Sequence, residues 1–478
     1  METPTKRGNL NPASFIKTHI KKLFTRLGAA SARSRVLPAL ITGLGLMLTG
    51  RVTAQTFTTL HNFSTEATNA LGHYTNSDGV HPEAVLILSG NTLYGTVSGG
   101  GTNGYGTVFA VNANGTGFTN LHNFSAAATN RLGVYTNSDG ATPYAGLILS
   151  GNTLYGTAEL GGTNGYGTVF AVNTNGAGFT TLHGFSAAAT NRLGIYTNSD
   201  GANPVAVLIL SGNTLYGTAY AGGTNGYGTV FAINTNGTGF TNLHTFTALS
   251  TSNNTNSDGA NPYAGLILSG NTLYGTAELG GTNASGTVFA VNTNGTGFTN
   301  LYSFTGGSDG AYPDAGLLLS GNTLYGTADG GGINAFGLTY GTVFAITTNG
   351  TRFTNPHTFT ALSDPFYLGG TNSDGVFPHA GLILSGNTLY GTASYGGTND
   401  YGTVFGISLA PQLTINLSGT NVILTWPANA TVFTLESTTN LVSPAVWNTN
   451  STAPIVISAQ NVVTNPISGA QKFYRLSQ

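Results

Sequence analysis

Hydrophobic and polar residues alternate in short runs along most of the chain, and the same runs recur. One copy contains four such runs, at Ala145–Ser150, Thr153–Ala158, Gly167–Asn173 and Gly178–Phe185. β-Branched and aromatic residues fill them, and Ser-Gly-Asn or Thr-Asn-Gly turns join the first pair and the last pair. This alternation predicts four short antiparallel strands per copy. The copies lack a helical period, which excludes a helical solenoid.

Three motifs mark six copies of the unit. The sequence GNTLYGT begins at Gly90, Gly151, Gly212, Gly270, Gly321 and Gly386. The sequence GTVF begins at Gly106, Gly167, Gly228, Gly286, Gly341 and Gly402. Leu-His-x-Phe or a close variant ends at Phe63, Phe124, Phe185, Phe246, Phe304 and Phe359. Repeated units of four antiparallel strands are typical of the blades of a β-propeller.

The phase of the repeat indicates how the array ends. A Leu-His-x-Phe strand at Phe57–Phe63 precedes the first complete copy, whereas the last copy stops after its third strand, near Phe405. An N-terminal strand that completes the last blade closes a propeller without leaving a free sheet edge. An open array would instead need capping units. We therefore predict an all-β, six-bladed β-propeller over residues 55–410, closed by its N-terminal strand.

The pattern changes from Pro411 onward. Shorter apolar alternations predict strands at Leu413–Leu417, Val422–Trp426, Val432–Ser437, Val446–Trp447, Pro454–Ser458 and Lys472–Leu476. Together they predict a small C-terminal β-sandwich over residues 411–478, near the lower size limit for a domain that folds alone.

The N-terminal segment differs in composition from the rest of the chain. Nine of the 14 Lys and Arg residues lie in the first 51 positions, around the apolar run Val36–Gly50 and before the small residue Ala54. A basic leader, a short apolar run and small residues before a cleavage point are the layout of a secretory signal peptide. An uncleaved membrane anchor is the alternative, although the run is short for a bilayer. Residues 1–54 are predicted to direct export through the general secretory route, for secretion or surface display.

Composition narrows the range of partners. Charged residues are 6% of the chain, and without the leader 5 basic residues face 15 acidic ones. A negative surface repels phosphate backbones, so nucleic acid is not an expected partner. The chain has no cysteine, which excludes disulfides and thiolate metal sites. We expect a monomer that meets a membrane only through its export signal.

The repeat resembles a known bacterial family. The pattern PxAxLIxSGNTLYGT, followed by GGTNxxGTVF and then LHxF, resembles the GloVer tandem repeat of choice-of-anchor proteins, and the resemblance covers Phe57 to about Leu409. It implies an extracellular or surface location and supplies no catalytic residues. The chain end differs from the usual family pattern, because it lacks a Pro-Glu-Pro motif, a terminal transmembrane helix and a final arginine cluster. Its last residues resemble a β-module of other exported bacterial proteins, which suggests a sorting or anchoring role.

Two loops carry most of the variation between copies, and both are expected on one face of the disc. Variable loops on a rigid scaffold are common binding sites. Two aligned positions there differ between copies. The residue after the loop proline, called the first position, is Glu83, Tyr144, Val205, Tyr263, Asp314 or His379; the residue two places after the last Thr of GNTLYGT, called the second position, is Ser98, Glu159, Tyr220, Glu278, Asp329 or Ser394.

Carboxylates and tyrosines that converge on such a face can bind a sugar through hydrogen bonds and aromatic contacts. We therefore propose ligand contacts at Glu83, Tyr144, Tyr263, Asp314, His379, Glu159, Tyr220, Glu278 and Asp329. The alternative is that these are ordinary solvated loop residues.

A repeated aspartate and a repeated histidine also carry candidate chemistry. The aspartates are Asp78, Asp139, Asp200, Asp258, Asp309 and Asp374, in Asp-Gly turns. A functional alternative is a ring of carboxylates that attracts Ca²⁺. The histidines are His61, His122, His183, His244 and His357, with Tyr302 in the remaining copy. One histidine per outermost strand predicts a structural role, because ligands of one metal ion must converge.

The sequence contains no nucleophile elbow, phosphate-binding loop or zinc-protease motif. Near-identity of the copies favours an exported, non-catalytic protein that binds a glycan or a surface partner on the long-loop face. A carbohydrate-active hydrolase or lyase, with carboxylates such as Glu83, Glu159, Glu278 or Asp314, is the alternative. A purely architectural surface protein is the third.

Overall fold

The structure is a computed structural model that describes residues 57–70, 72–131, 133–331, 340–363, 370–409, 411–428, 433–443, 445–450, 452–458, 460–468 and 471–477. The predicted export signal and residues 332–339 of one enlarged loop lie outside the described residues. The chain divides into two compact units, Met1–Thr58 and Thr59–Gln478. All the described strands belong to the second unit.

The repeat region consists of short strands. In chain order they are β1 Ala67–Thr68, β2 Tyr74–Thr75, β3 Ile87–Ser89, β4 Thr92–Val97, β5 Thr107–Asn112, β6 Thr119–Asn123, β7 Ala128–Thr129, β8 Tyr135–Thr136, β9 Ile148–Ser150, β10 Thr153–Ala158, β11 Thr168–Asn173, β12 Thr180–Gly184, β13 Ala189–Thr190, β14 Tyr196–Thr197, β15 Ile209–Ser211, β16 Thr214–Ala219, β17 Thr229–Asn234, β18 Thr241–Thr245, β19 Ile267–Ser269, β20 Thr272–Ala277, β21 Thr287–Asn292, β22 Thr299–Ser303, β23 Leu318–Ser320, β24 Thr323–Ala328, β25 Thr342–Thr347, β26 Phe353–Thr358, β27 Ile383–Ser385, β28 Thr388–Ala393 and β29 Thr403–Ser408.

These strands form six successive antiparallel sheets, which we call sheets 1 to 6. Five have four strands in sequence order, namely β3–β6, β9–β12, β15–β18, β19–β22 and β23–β26. Sheet 6 has the three strands β27–β29. Three long loops also contain two-residue hairpins, β1–β2, β7–β8 and β13–β14, which the sequence had not predicted. The predicted all-β class and the four-stranded repeat are therefore confirmed. None of the described residues forms a helix that is long and apolar enough to cross a bilayer.

The central pairing of each sheet follows directly from the repeated motifs. In sheet 2 the Thr-Leu-Tyr-Gly-Thr strand β10 pairs with the Thr-Val-Phe strand β11, with Tyr155 opposite Ala171. The same register recurs in sheet 3, where Tyr216 lies opposite Ala232. β-Branched and aromatic residues suit such a pleated surface. The outermost strand is joined through a bulge, located in sheet 2 between Val169 and Phe170.

The core lies between successive sheets. Phe185 of sheet 2 packs in one apolar cluster with Leu215 and Phe231 of sheet 3, and all three are at most 1% exposed. Equivalent clusters join sheets 1 and 2, 3 and 4, 4 and 5, and 5 and 6. Each fully buried side chain of this size contributes roughly 1.5–3 kcal/mol. Each sheet therefore depends on its neighbours for a large part of its stability.

The innermost strands are shorter than predicted. The predicted run Ala145–Ser150 forms a strand only at Ile148–Ser150. The carbonyl oxygen of Ala145 instead accepts a hydrogen bond from Thr96 Oγ1 of sheet 1, at 2.9 Å. Thr157 Oγ1 makes the same bond to Ala206 O of sheet 3, at 3.1 Å. These bonds fix each sheet against the next.

The expected pairing of the N-terminal segment with sheet 6 is not present. Thr59–Phe63 has no strand structure, and sheet 6 ends at β29. The segment packs instead on sheet 1, where His61 stacks on Phe118 with ring centroids 3.6 Å apart. Phe63 joins Val97, Phe109 and Val111 in a small apolar cluster. The segment thus contacts sheet 1 through side chains, and the ladder that the sequence predicted with sheet 6 is not formed.

The C-terminal region forms two further sheets. Their strands are β30 Thr414–Ser418, β31 Asn421–Pro427, β32 Thr434–Thr438, β33 Asn448–Thr449, β34 Ile455–Ile457, β35 Gln460–Pro466 and β36 Phe473–Ser477. One sheet has the order β30-β31-β35-β34 and the other β33-β32-β36. Leu424, Trp426, Leu435 and Val463 form the core between them. The strand β35 was missed by the sequence prediction.

Candidate functional site

A repeated backbone unit presents the two variable positions. The residue before the loop proline has a positive φ of 55–59° in all six copies, at His81, Thr142, Asn203, Asn261, Tyr312 and Phe377. This conformation is unfavourable for residues with a Cβ, especially Thr and aromatic residues. Backbone bonds hold it: Thr142 N donates to Tyr105 O at 2.9 Å, and Glu159 N donates to Thr142 O at 3.2 Å. The second bond places Glu159 beside Tyr144 of the same copy.

At sheets 5 and 6 the variable positions form a network of carboxylates and one histidine. His379 Nδ1 lies 2.8 Å from Asp314 Oδ2. His379 Nε2 lies 3.2 Å from Asp329 Oδ1, which is ion-pair distance without hydrogen-bond alignment. The histidine side chain is 51% exposed, while the two aspartates are 20% and 24% exposed. His379 and Asp314 are the first-position residues of the sixth and fifth copies. Equivalent residues of neighbouring copies therefore come into contact.

Tyrosines and a glutamate continue the site at sheets 3 and 4. Tyr220 and Tyr263 meet edge to face, with ring centroids 5.9 Å apart. Burial raises the pKa of Tyr220, and the neighbouring Glu278 raises it further. Tyr263 is 48% exposed, so part of its ring is open to a ligand.

The remaining predicted residues lie within electrostatic reach of this group. The charges of Glu159 and Glu83 act on Tyr144, and the charges of Glu159 and Asp314 act on Tyr263. Direct contacts join His379 to Asp314 and Asp329, and Tyr220 to Tyr263. The other four predicted ligand residues interact with the group electrostatically, and the nine come from all six copies. We call them the mouth cluster: Glu83, Tyr144, Glu159, Tyr220, Tyr263, Glu278, Asp314, Asp329 and His379.

The environment raises the pKa of several acids in the mouth cluster. Burial raises the pKa of Asp329 to about 6; the charge of His379 lowers it and that of Asp314 raises it. Burial also raises the pKa of Glu278, and the charges of Asp314 and Asp329 raise it further. Burial raises the pKa of Glu159. The hydrogen bond to Asp314 raises the pKa of His379, against burial.

The tyrosines remain neutral donors at ordinary pH. Burial raises the pKa of Tyr144, Tyr220 and Tyr263, and nearby carboxylates raise it further. Asp314 Oδ1 and Asp329 Oδ1 are buried and accept no hydrogen bond from any described residue. The cluster thus offers both acceptors and donors beside partly exposed aromatic rings, an arrangement suited to hydroxyl-rich ligands. No group of three or more His, Asp or Glu side chains that could hold a metal ion occurs among the described residues.

The repeated aspartates lie in separate networks, one per copy. In the connection between sheets 1 and 2, His122 Nε2 donates to Asp139 Oδ2 at 2.8 Å, and Ser125 N donates to Asp139 Oδ1 at 3.2 Å. The same arrangement surrounds Asp78, Asp200, Asp258 and Asp374, with Tyr302 replacing histidine at Asp309. The six aspartates proposed for calcium are therefore engaged by donors of their own copies.

The pairing of histidine with aspartate was missed at the sequence level. The two residues lie 17 positions apart in four copies, and the distance shortens when the loop shortens. Their joint recurrence was the available signal. Four of the histidines, His61, His122, His183 and His244, also stack on a phenylalanine of the next sheet, as His122 does on Phe179 at 3.5 Å. Ser125 Oγ donates to Asp139 and not to His122, so these groups do not form a hydrolytic triad.

The family comparison matches most of the chain. The model of the Gloeobacter/Verrucomicrobia repeat aligns with residues 45–194, 127–257 and 247–430. The chain belongs to the Gloeobacter/Verrucomicrobia repeat family. A comparison with curated protein sequences found no significant match.

Solved structures resemble this Gloeobacter/Verrucomicrobia repeat protein only distantly. A Bacteroides fragilis protein assigned as a 6-phosphogluconolactonase is 14% identical, with 85% of this chain and 91% of that chain covered and a TM-score of 0.39. An ulvan lyase from a polysaccharide lyase family is 10% identical, with coverage of 76% and 93% and a TM-score of 0.36. Similarity at this level supports no argument about function.

Proposed function

We propose that this chain is an exported, non-catalytic binding protein that recognises a glycan or another cell-surface component at the mouth cluster. The observation that supports the proposal is the contact between variable side chains of adjacent copies, namely His379 with Asp314 and Asp329, and Tyr220 with Tyr263. The six copies share their strand motifs and differ at these positions. A shared scaffold with variable contacts on one face is the usual design of a repeat protein that binds a ligand.

The chemistry of the mouth cluster fits a sugar. Carboxylates accept hydrogen bonds from sugar hydroxyls, and protonated tyrosines both donate and accept. The exposed faces of Tyr144 and Tyr263 can stack on the apolar face of a sugar ring.

A glycan array followed by isothermal titration tests the proposal. The whole exported chain is expected to bind at least one glycan, and Tyr263→Ala and Glu278→Gln are expected to weaken that binding at least tenfold. Tyr196→Ala is the matched control, because Tyr196 is 59% exposed in the β13–β14 hairpin and lies outside the mouth cluster. Binding that is lost equally in the control, or that survives both mouth variants, contradicts the assignment.

A carbohydrate-active enzyme is the second candidate. The raised pKa values of Glu278 and Asp329 favour it, because a general acid must hold its proton near neutral pH. This candidate predicts that a polysaccharide is cleaved and that Glu278→Gln abolishes turnover while retaining binding. A purified protein that binds glycans without any cleavage supports the non-catalytic role.

Two features of location belong to the same proposal. Residues 1–54 act as the export signal, and the C-terminal sheets act as the sorting or anchoring module of a secreted or surface protein. Mass spectrometry of the exported protein is expected to find an N-terminus near Gln55. Retention of the basic leader would support the uncleaved membrane anchor instead.

We also propose that the six sheets of the ligand-binding protein close into a ring of six blades. Antiparallel propellers of four to eight four-stranded blades are common, and the phase of the repeat provides one strand at the start and lacks one at the end. A ring bounds the mouth cluster on all sides.

A further inference from the structure

The last sheet has an open apolar edge. Val404 on β29 is 81% exposed, whereas its equivalent in sheet 2, Val169, is 0% exposed. Tyr401, just before β29, is 92% exposed. In sheet 2 the outermost strand pairs beside this position, at His183, and residues of sheet 3 such as Leu208 and Phe231 cover its side chain. An uncovered edge of this kind invites pairing with another strand.

The start of the array has a matching open surface. Leu86, which precedes β3, is 45% exposed, whereas its equivalent Leu147 is 4% exposed. Val85 and Leu88 are also largely exposed. In the other copies this surface is covered by the preceding sheet, as Leu147 is covered in the cluster that joins sheets 1 and 2. Sheet 1 therefore lacks a neighbour on this side.

The segment Thr59–Phe63 makes the side-chain contacts of an outermost strand but not its ladder pairing. His61 stacks on Phe118 and lies 2.9 Å from Asp78, as His122 stacks on Phe179 and bonds to Asp139. The strand that contains His122 also pairs with β5. Thr59–Phe63 has no such partner, although its contacts with sheet 1 are those of the outermost strand of a preceding sheet.

We propose that Thr59–Phe63 of the same chain docks on β29 as the fourth strand of sheet 6, and that this seam brings Glu83 of the first copy against His379 of the sixth. The register follows sheet 1, where Val108 pairs with His122 and Thr107 with Asn123. Val404 then pairs with His61, and Thr403 with Asn62. The inference rests on the proposed closed ring and completes its mouth cluster.

The contact between Glu83 and His379 follows from the repeat. First positions of adjacent copies already meet at His379 and Asp314, and the charge of Glu83 acts on Tyr144. In a ring the sixth and first copies become adjacent in the same way. The exposed side of His379 then receives a carboxylate, and a ligand that touches both residues binds the closed seam more tightly than the open one.

Disulfide trapping tests the seam in a chain that has no cysteine of its own. Phe124 N donates to Gly106 O, so Thr107 and Asn123 are a pair without mutual hydrogen bonds, whose Cα atoms are closest in an antiparallel ladder. The test variant is Asn62→Cys with Thr403→Cys, the equivalent pair at the seam. Thr107→Cys with Asn123→Cys is the positive control. Asn62→Cys with Thr342→Cys is the negative control, because Thr342 already pairs with Thr358.

Mild oxidation of the whole exported chain is expected to consume both thiols of the test variant within one molecule, as in the positive control. Free thiols that persist while the positive control reacts overturn the proposal. Disulfide-linked dimers or higher oligomers also overturn the proposal, because they show that β29 pairs with a second molecule of this chain. These outcomes need no ligand, so failure of glycan binding is distinguishable from failure of the seam.

A second measurement, the pKa of His379, tests the contact between His379 and Glu83. The pKa of His379, followed by NMR in the whole chain, reports the carboxylates that face it, namely Asp314, Asp329 and Glu278 in the structure. Glu83→Gln is expected to lower this pKa when the seam is closed. An unchanged pKa contradicts the contact between Glu83 and His379.

Discussion

Tyr302 donates its hydroxyl hydrogen to Asp309 Oδ2 at 2.9 Å and stacks on Phe353 with ring centroids 3.8 Å apart. On the outermost strand of sheet 1, His122 makes the same two contacts, with Asp139 and Phe179. The shared element is a flat, donating ring that joins an Asp-Gly turn to the next sheet. A tyrosine and a histidine can both provide it.

Replacement of His183 tests this interpretation. His183 bonds to Asp200 at 2.9 Å and stacks on Phe240. His183→Ala is expected to cost about 2 kcal/mol of unfolding free energy, because a buried carboxylate loses a donor. His183→Tyr is expected to retain most of that stability, as Tyr302 shows. Denaturant unfolding measures both, and equal damage from the two variants would show that the ring does not act as a donor.

Acid is expected to destabilise the repeat through the same aspartates. Burial alone would raise the pKa of Asp139, but hydrogen bonds from His122 and Ser125 outweigh it and hold the pKa below its usual value. Asp200 behaves in the same way. A lowered pKa in the folded state contributes stability above the unfolded value, near 3.8, that is lost as the pH falls through the folded value.

Unfolding free energy measured against pH is therefore expected to be lower in acid than near neutrality. Asp139→Asn should reduce stability near neutrality and flatten the acid slope. A slope that is unchanged in this variant would assign the acid sensitivity to other carboxylates.

Local sequence patterns predicted most of the strands, whereas the ligand role of the mouth cluster stays a prediction. The strand β10 was predicted with its correct ends, because a repeated run of Thr, Leu and Tyr between Gly-Asn and Ala leaves little freedom. The mouth residues were selected because they vary at aligned positions. The bond between His122 and Asp139 was missed, because it joins residues 17 positions apart through a loop of no fixed length. The predicted pairing of Thr59–Phe63 with sheet 6, which the structure does not contain, would join the two ends of the repeat, and no local pattern specifies such a contact.

Glycine in the second strand of each sheet is required by packing. A Cβ at Gly217 would lie 2.7 Å from both Leu208 Cδ2 and Phe231 Cζ. Gly217→Ala is expected to cost roughly 1–3 kcal/mol, because the core has no room for the methyl group. Gly316→Ala is the control, since nothing lies within 4 Å of its Cβ position and its φ is not positive. Equal midpoints in denaturant would contradict the packing argument.

A single substitution in the mouth cluster, at Asp314, is expected to change the pKa values of two other residues, His379 and Asp329. The hydrogen bond to Asp314 raises the pKa of His379, and the charge of Asp314 raises the pKa of Asp329. Asp314→Asn is therefore expected to lower both pKa values, with that of Asp329 starting from about 6. NMR titration of the two side chains measures this, and movement of only one would show that the three groups are not coupled.

The most direct measurement of the binding account is a crystal structure of the exported chain soaked with a glycan that it binds. The account predicts sugar density at the mouth cluster, with a ring against Tyr144 or Tyr263 and hydroxyls within hydrogen-bond distance of Glu278, Asp314 or Asp329. Sugar bound instead to the C-terminal sheets, with no density at the mouth cluster, would contradict it.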